Sequence, residues 1–196
     1  MRLEQLTLDT LTPDQRELYD AIVGRRLGSI LPSRIADEQG RLQGPFNAML
    51  HYPALGHPLQ ELGGGLRFRG SLPARARELV ILTVAAAWES EFEWWAHVRI
   101  GHEVGLTDDE IIAVRSFLPL ALDDPVEQAA LDVARAAATT ADLDDDLYAR
   151  SRDALGDKML IEALTLVGYY ALLALQMRVF RVPLPDGAEY TFTNRR

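Results

Sequence analysis

The chain has 196 residues, a formal net charge of −9 and no cysteine. That length fits one sizeable core, and the acidic balance argues against nucleic acid or an anionic membrane surface as partner. Without cysteine there are no disulfides, no thiolate nucleophile and no cysteine-ligated metal.

Helix signals dominate the chain. Thr12-Pro13-Asp14-Gln15 supplies an N-cap, a proline at N1 and a glutamine at N3, predicting a first helix to about Arg26. Residues 28–44, with Pro32, Gly40 and Gly44, read as a long loop, so residues 1–43 form an N-terminal helix and loop. A short helix follows in PFNAMLHY. Pro53 restarts the chain, and helical spacing returns through Leu55, Leu59 and Leu62. The triplet Gly63-Gly64-Gly65 either ends that helix or allows close packing inside it. Pro73 begins a helix with almost no polar face through Ala87, which predicts burial on most sides. Ser90-Glu91-Phe92-Glu93 has the spacing of a capping box for a helix ending near Gly105. Thr107-Asp108-Asp109-Glu110 is another, for a helix to about Phe117. Asp124-Pro125 starts a helix through Ala138. A polar helix over 142–155 closes at Gly156, and a long apolar one runs from about Lys158 to Phe180.

Only YTFTN near the end alternates with period two, so the fold class is all-α, in a single domain over 1–196 with its core motif at 72–116. Glu162 and Gln176 interrupt the apolar segment 160–177, which reads as a buried helix, in the core or at a subunit interface, and not as a membrane span. The charged N-terminus has no apolar stretch of signal-peptide type, and the expected location is cytoplasmic.

Residues 72–110 hold two carboxylates and a histidine in otherwise apolar surroundings. Polar groups occupy such places when they are satisfied or useful. Glu93 and His97 are four apart, hence on one helix face, and a histidine beside a carboxylate can exchange protons near neutrality. The plainer accounts are a capping role for Glu93 and a core role for His97. Glu78, in the most apolar helix, needs Arg75, Arg77 or a histidine as partner, unless it is a solvated first-turn acid. Arg67, Arg69, Arg75 and Arg77 form a basic cluster that can hold a substrate carboxylate or pair with surface acids. Trp88, Trp94 and Trp95 can line an apolar pocket. No glycine-rich phosphate loop, GxSxG or HExxH is present, and neither metal nor cofactor is expected.

The pattern Arg77-Glu78-Leu79-Val80-Ile81-Leu82, then Glu93–His97, then Gly105-Leu106-Thr107-Asp108-Asp109-Glu110-Ile111 resembles the carboxymuconolactone decarboxylase family, which includes the alkyl hydroperoxidase D-like (AhpD-like) proteins. GPFNAML at 44–50 and LVGYYALLAL at 166–175 look like a longer subgroup of it. The resemblance implies a helical homotrimer or homohexamer with its site near a subunit interface, and a small-molecule substrate. Peroxidase members carry a Cys-x-x-Cys pair followed four residues later by a histidine, with a glutamate upstream in a proton relay. Glu78 and His97 match the relay, whereas Ser90 and Glu93 stand where the cysteines would be. Neither replacement can be oxidised and recycled as a thiol can. The resemblance therefore implies decarboxylase-type acid–base chemistry on a carboxylated lactone or keto acid, with His97, Glu78 and Glu93 catalytic and Arg67, Arg69, Trp94 and Ser90 as substrate contacts. The alternatives are a hydroperoxidase role and a non-catalytic oligomer that binds a small acid.

Overall fold

The computed structural model describes residues 1–26 and 35–192. Residues 28–34 of the expected loop over 28–44 lie outside the described residues, and so does the end of YTFTN. Among the described residues the chain is all-helical, with one isolated bridge between Ala36 and Leu42. The helices are α1 (Pro13–Arg26), α2 (Phe46–His51), α3 (Pro53–Phe68), α4 (Ala74–Ala87), α5 (Glu91–Glu103), α6 (Asp108–Arg115), α7 (Pro125–Thr140) and α8 (Asp145–Phe180). They group into two compact units, Met1–Arg69 with Gln176–Pro183, and Gly70–Leu175 with Leu184–Arg196.

In the first unit α1, α2 and α3 pack on one another, around the fully buried Leu18, Ile22, Leu42 and Leu50. The capping box at the start of α1 is present. Thr12 N–H donates to Gln15 Oε1 at 2.9 Å, and Gln15 N–H donates to Thr12 Oγ1 at 3.4 Å. α3 runs straight through the glycine triplet, with Gly63 and Gly64 buried. Packing, not termination, explains those glycines. Gly56 is tighter still: a Cβ there would stand 2.5 Å from the carbonyl oxygen of Met49 and collide with Leu18.

In the second unit α4 is the central element, packed against α5, α6 and α7. Every residue from Glu78 to Ala86 is buried, as its apolar sequence requires. Leu79, Leu82, Ala85, Trp94, Leu106, Ile111, Val114 and Leu131 form one continuous cluster. The turn between α4 and α5 is a Schellman motif. Ser90 N–H donates to Ala85 O at 2.8 Å and Glu89 N–H to Ala86 O at 3.1 Å, with Glu89 left-handed at φ 47°. The α5–α6 turn repeats it through Gly105 (φ 92°), where Leu106 N–H donates to Gly101 O at 2.8 Å. At Gly101 an added Cβ would stand 3.0 Å from the end of the Leu106 side chain and 3.4 Å from Leu82. Thr107 and Glu110 form the expected capping box, and Asp124 caps α7 through Val126 and Glu127. α8 breaks at Gly156 (φ 66°, ψ 168°), the boundary expected between a polar and an apolar helix. By length and composition alone α8 is long and apolar enough to cross a membrane, and 44% of its most apolar window is buried within the fold.

Candidate active site

Among the described residues the buried polar side chains are Asn47, Gln60, Glu78, Thr83, Ser90, Glu93, His97 and Ser151. Five of these fall on the α4–α5 hairpin. Thr83 returns its hydroxyl to Leu79 O within its own helix, as threonines in helices commonly do. Glu78, Ser90, Glu93 and His97 are not explained in that way.

α4 holds Glu78 fully buried. α5 turns the side chains of Phe92, Glu93, Trp94, His97, Ile100 and Gly101 inward, which places Glu93 and His97 on one buried face, as their spacing predicts. His97 Nδ1 lies 2.6 Å from Glu78 Oε2. A carboxylate accepts, so Nδ1–H is the donor, and Nε2 is the nitrogen left to take or give a proton. The histidine partner is therefore Glu78 on the neighbouring helix, not Glu93 one turn away. The imidazole side chain retains 10% of its surface exposed. Tyr170 on α8 meets it edge-on, with ring centroids 5.2 Å apart and planes at 89°. Sequence reasoning did not single out Tyr170, although it lies in the LVGYYALLAL motif. Arg77 Nε stands 3.9 Å from Glu78 Oε1, too far for a hydrogen bond.

Glu93 departs from its expected role. Ser90 is the N-cap residue of α5, but its side chain makes no capping bond. Ser90 Oγ and both Glu93 carboxyl oxygens are buried with no hydrogen-bond partner among the described residues. The capping-box pattern is present in the sequence and absent from the structure, where both side chains are buried at the start of α5 without making the capping bonds. Burial pushes the Glu93 carboxyl well above the usual carboxylate range, so it is not the ionised, solvated cap its position suggests.

The remaining candidates divide. Arg75 is engaged with Glu127 (Nε–Oε2 2.8 Å) and Glu110 (Nη2–Oε1 2.5 Å), which clamps α4 to α6 and α7 and removes it as a substrate ligand. Trp94 is 5% exposed in the main cluster, edge-on to Phe192 at 5.5 Å, so packing accounts for it. Trp95 lies under the Arg99 guanidinium at 5.0 Å. Arg67 lies in the last turn of α3 and Arg69 caps it, in the first unit, while Glu78, Ser90, Glu93 and His97 belong to the second.

This architecture, a helix hairpin holding a buried Glu–His pair, falls in the AhpD-like class of all-α folds. The apo debrominase Bmp8 matches with a TM-score of 0.70 at 14% identity, over 93% of this chain and 91% of that one. A cysteine-to-alanine variant of Bmp8 in complex with 2,3,4-tribromopyrrole matches with a TM-score of 0.70 at 16% identity, over 95% and 92%. A protein of unknown function from Agrobacterium tumefaciens, with a proposed role as the antioxidant defence protein AhpD, matches with a TM-score of 0.64 at 19% identity, over 73% and 99%. At these identities the likeness is one of fold. From the sequence, the model of the carboxymuconolactone decarboxylase family matches residues 53–136. No curated relative matches the chain.

Proposed function

We propose that the protein is an enzyme of lyase type that performs acid–base chemistry on a small carboxylated lactone or keto acid, with His97 moving the proton and Glu78 holding its ring. The observation that carries this reading is the 2.6 Å bond from buried Glu78 to His97 Nδ1, which orients the imidazole and reserves Nε2 for chemistry. In the step envisaged, the bond between substrate carbon and carboxylate breaks and CO₂ leaves. The electron pair passes into the adjacent carbonyl as an enolate. A proton on His97 Nε2 is then delivered to carbon, and the ring is reprotonated from solvent, so each CO₂ released consumes one proton overall.

A thiol-peroxidase reading has no residue to stand on, since the sequence contains no cysteine. The same holds for any chemistry of the neighbouring debrominase that depends on a cysteine. The test is CO₂ release by purified protein across a panel of carboxylated lactones and keto acids, beside peroxide consumption with a thiol reductant. Release from at least one substrate supports the reading, and peroxide turnover without CO₂ release contradicts it.

The reading includes self-association. Ile161, Leu164, Leu172 and Leu175 are 65, 40, 38 and 50% exposed along α8, spaced to share one face. The pattern is symmetric about Gly168, where an added Cβ would meet nothing within 4 Å. A two-fold axis at Gly168 would pair Ile161 with Leu175 and Leu164 with Leu172 of a second copy. Leu172→Glu should then lower the mass measured by light scattering, and an unchanged mass would remove this surface from the account.

A further inference from the structure

Glu93 and Ser90 are the buried polar groups of the site left without an explanation by the His97–Glu78 pair. Ser90 is 1% exposed and Glu93 3% exposed. Their three side-chain oxygens have no partner, although buried polar atoms are nearly always hydrogen-bonded. They occupy the N-cap and N3 positions of the 13-residue α5, where unpaired backbone N–H groups and the helix dipole favour negative charge. His97 follows one turn later on the same buried face. The arrangement thus has hydrogen-bonding groups at the positive end of a helix, next to a proton-transfer residue, with no hydrogen-bond partner for those groups among the described residues.

We propose that the Ser90 hydroxyl and the Glu93 carboxyl form an oxyanion subsite that hydrogen-bonds the enolate oxygen generated when the substrate loses CO₂. This rests on the acid–base reading above. Both groups carry a proton they can donate. Burial pushes the Glu93 carboxyl well above the usual carboxylate range, toward its protonated form, and a carboxylic acid kept neutral in an apolar site is a strong hydrogen-bond donor to an oxyanion. A donor that meets charge only as it develops lowers the barrier without tightening substrate binding equally. Ser90 and Glu93 stand where the resemblance places a redox pair in other members. The same two positions would here supply donors for an oxyanion in place of sulfur for oxidation, which makes them determinants of reaction type.

The probe is 4-nitrophenol, whose phenolate mimics an enolate oxygen and whose absorbance reports ionisation, with benzoate as the carboxylate counterpart. Wild-type protein is expected to bind the phenolate preferentially. Ser90→Ala and Glu93→Leu are each expected to weaken phenolate binding by about 10-fold or more, the scale of one lost charge-assisted hydrogen bond. Glu93→Gln, which keeps an N–H donor, should weaken it less. The infrared carbonyl stretch of a protonated carboxyl group should be present in wild type and absent from Glu93→Gln, a readout independent of ligand. Phenolate affinity unchanged in both Ser90→Ala and Glu93→Leu, no phenolate binding by wild type, or preferential benzoate binding that depends on these residues would each overturn the enolate subsite. His97→Gln should keep phenolate affinity while losing turnover. If no lactone or keto acid is turned over yet phenolate affinity depends on Ser90 and Glu93, the acid–base reading fails and the oxyanion-binding pair stands. If turnover occurs and phenolate affinity ignores both residues, the reverse holds.

Discussion

Replacing Glu93 with leucine should make the protein more stable, and increasingly so as pH rises. The Glu93 carboxyl is 3% exposed and both its oxygens lack partners. An unmet buried polar group costs about 1–3 kcal/mol, and an apolar residue of similar volume removes that cost. Burial raises the Glu93 pKa above the ordinary value of 4.5. In that direction the folded state binds more protons than the unfolded state once pH exceeds the ordinary value. The wild-type contribution is therefore fully present below that pH and is lost as pH rises through the folded value, at up to about 1.4 kcal/mol per pH unit. Glu93→Leu has no such loss. Its advantage should be about 1–3 kcal/mol at acid pH and larger at pH about 8, with each kcal/mol appearing as roughly 2–4 °C in Tm for a chain of this size. Thermal unfolding followed by circular dichroism at both pH values measures this directly. A variant less stable than wild type at both, or an advantage that does not change with pH, would refute the reasoning and mean that Glu93 is ionised and paired. A stabilising loss of Glu93 would also show that the residue is kept for function at the expense of stability.

Other outcomes follow from the packing. Gly56→Ala should cost about 1–3 kcal/mol, because the new Cβ meets Met49 backbone and Leu18 and one of the α1, α2 or α3 contacts must shift; a Tm within 1 °C of wild type, roughly the resolution expected of a neutral substitution, would contradict that close approach. Arg75→Met should cost about 1 kcal/mol or somewhat more, below the ~3–5 kcal/mol of a fully buried pair because solvent reaches this one. Burial alone would raise the Glu110 pKa, but the hydrogen bonds from Arg75 and Thr107 hold it below the ordinary value. That contribution is present above the ordinary carboxylate pKa and lost as pH falls through the folded value. The deficit of Arg75→Met in thermal unfolding should accordingly shrink in acid, and a deficit that grows there would contradict the clamp.

Much of the fold was legible because its punctuation is local. Thr12, Thr107 and Asp124 cap the helices they precede, Pro73 opens α4, and Gly156 breaks α8 where polarity changes. Gly63–Gly65 was ambiguous because a glycine triplet weakens an isolated helix yet also permits close packing, and only the tertiary neighbours of α3 decide between the two. The site was legible as a set of residues, not as a set of pairs. Spacing on α5 puts Glu93 and His97 on one face, but the bond His97 makes is to Glu78, 19 residues upstream, which depends on how the hairpin closes. Ser90 and Glu93 show the converse: a capping-box pattern is a statement about helix ends, and it yields when the same side chains face a core. The edge-on contact of Tyr170 with His97 depends on where α8 lies and has no local signal in the sequence.

The central claim, that a Glu78-held His97 transfers the proton, is tested most directly by the rate of CO₂ release in His97→Gln and Glu78→Gln beside wild type, with folding checked by circular dichroism. The account predicts a fall of about 10²–10⁴-fold for His97→Gln, the range of general acid–base catalysis, and a smaller loss for Glu78→Gln, which keeps the ring in place but not its charge partner. A folded His97→Gln protein that releases CO₂ at the wild-type rate would contradict it.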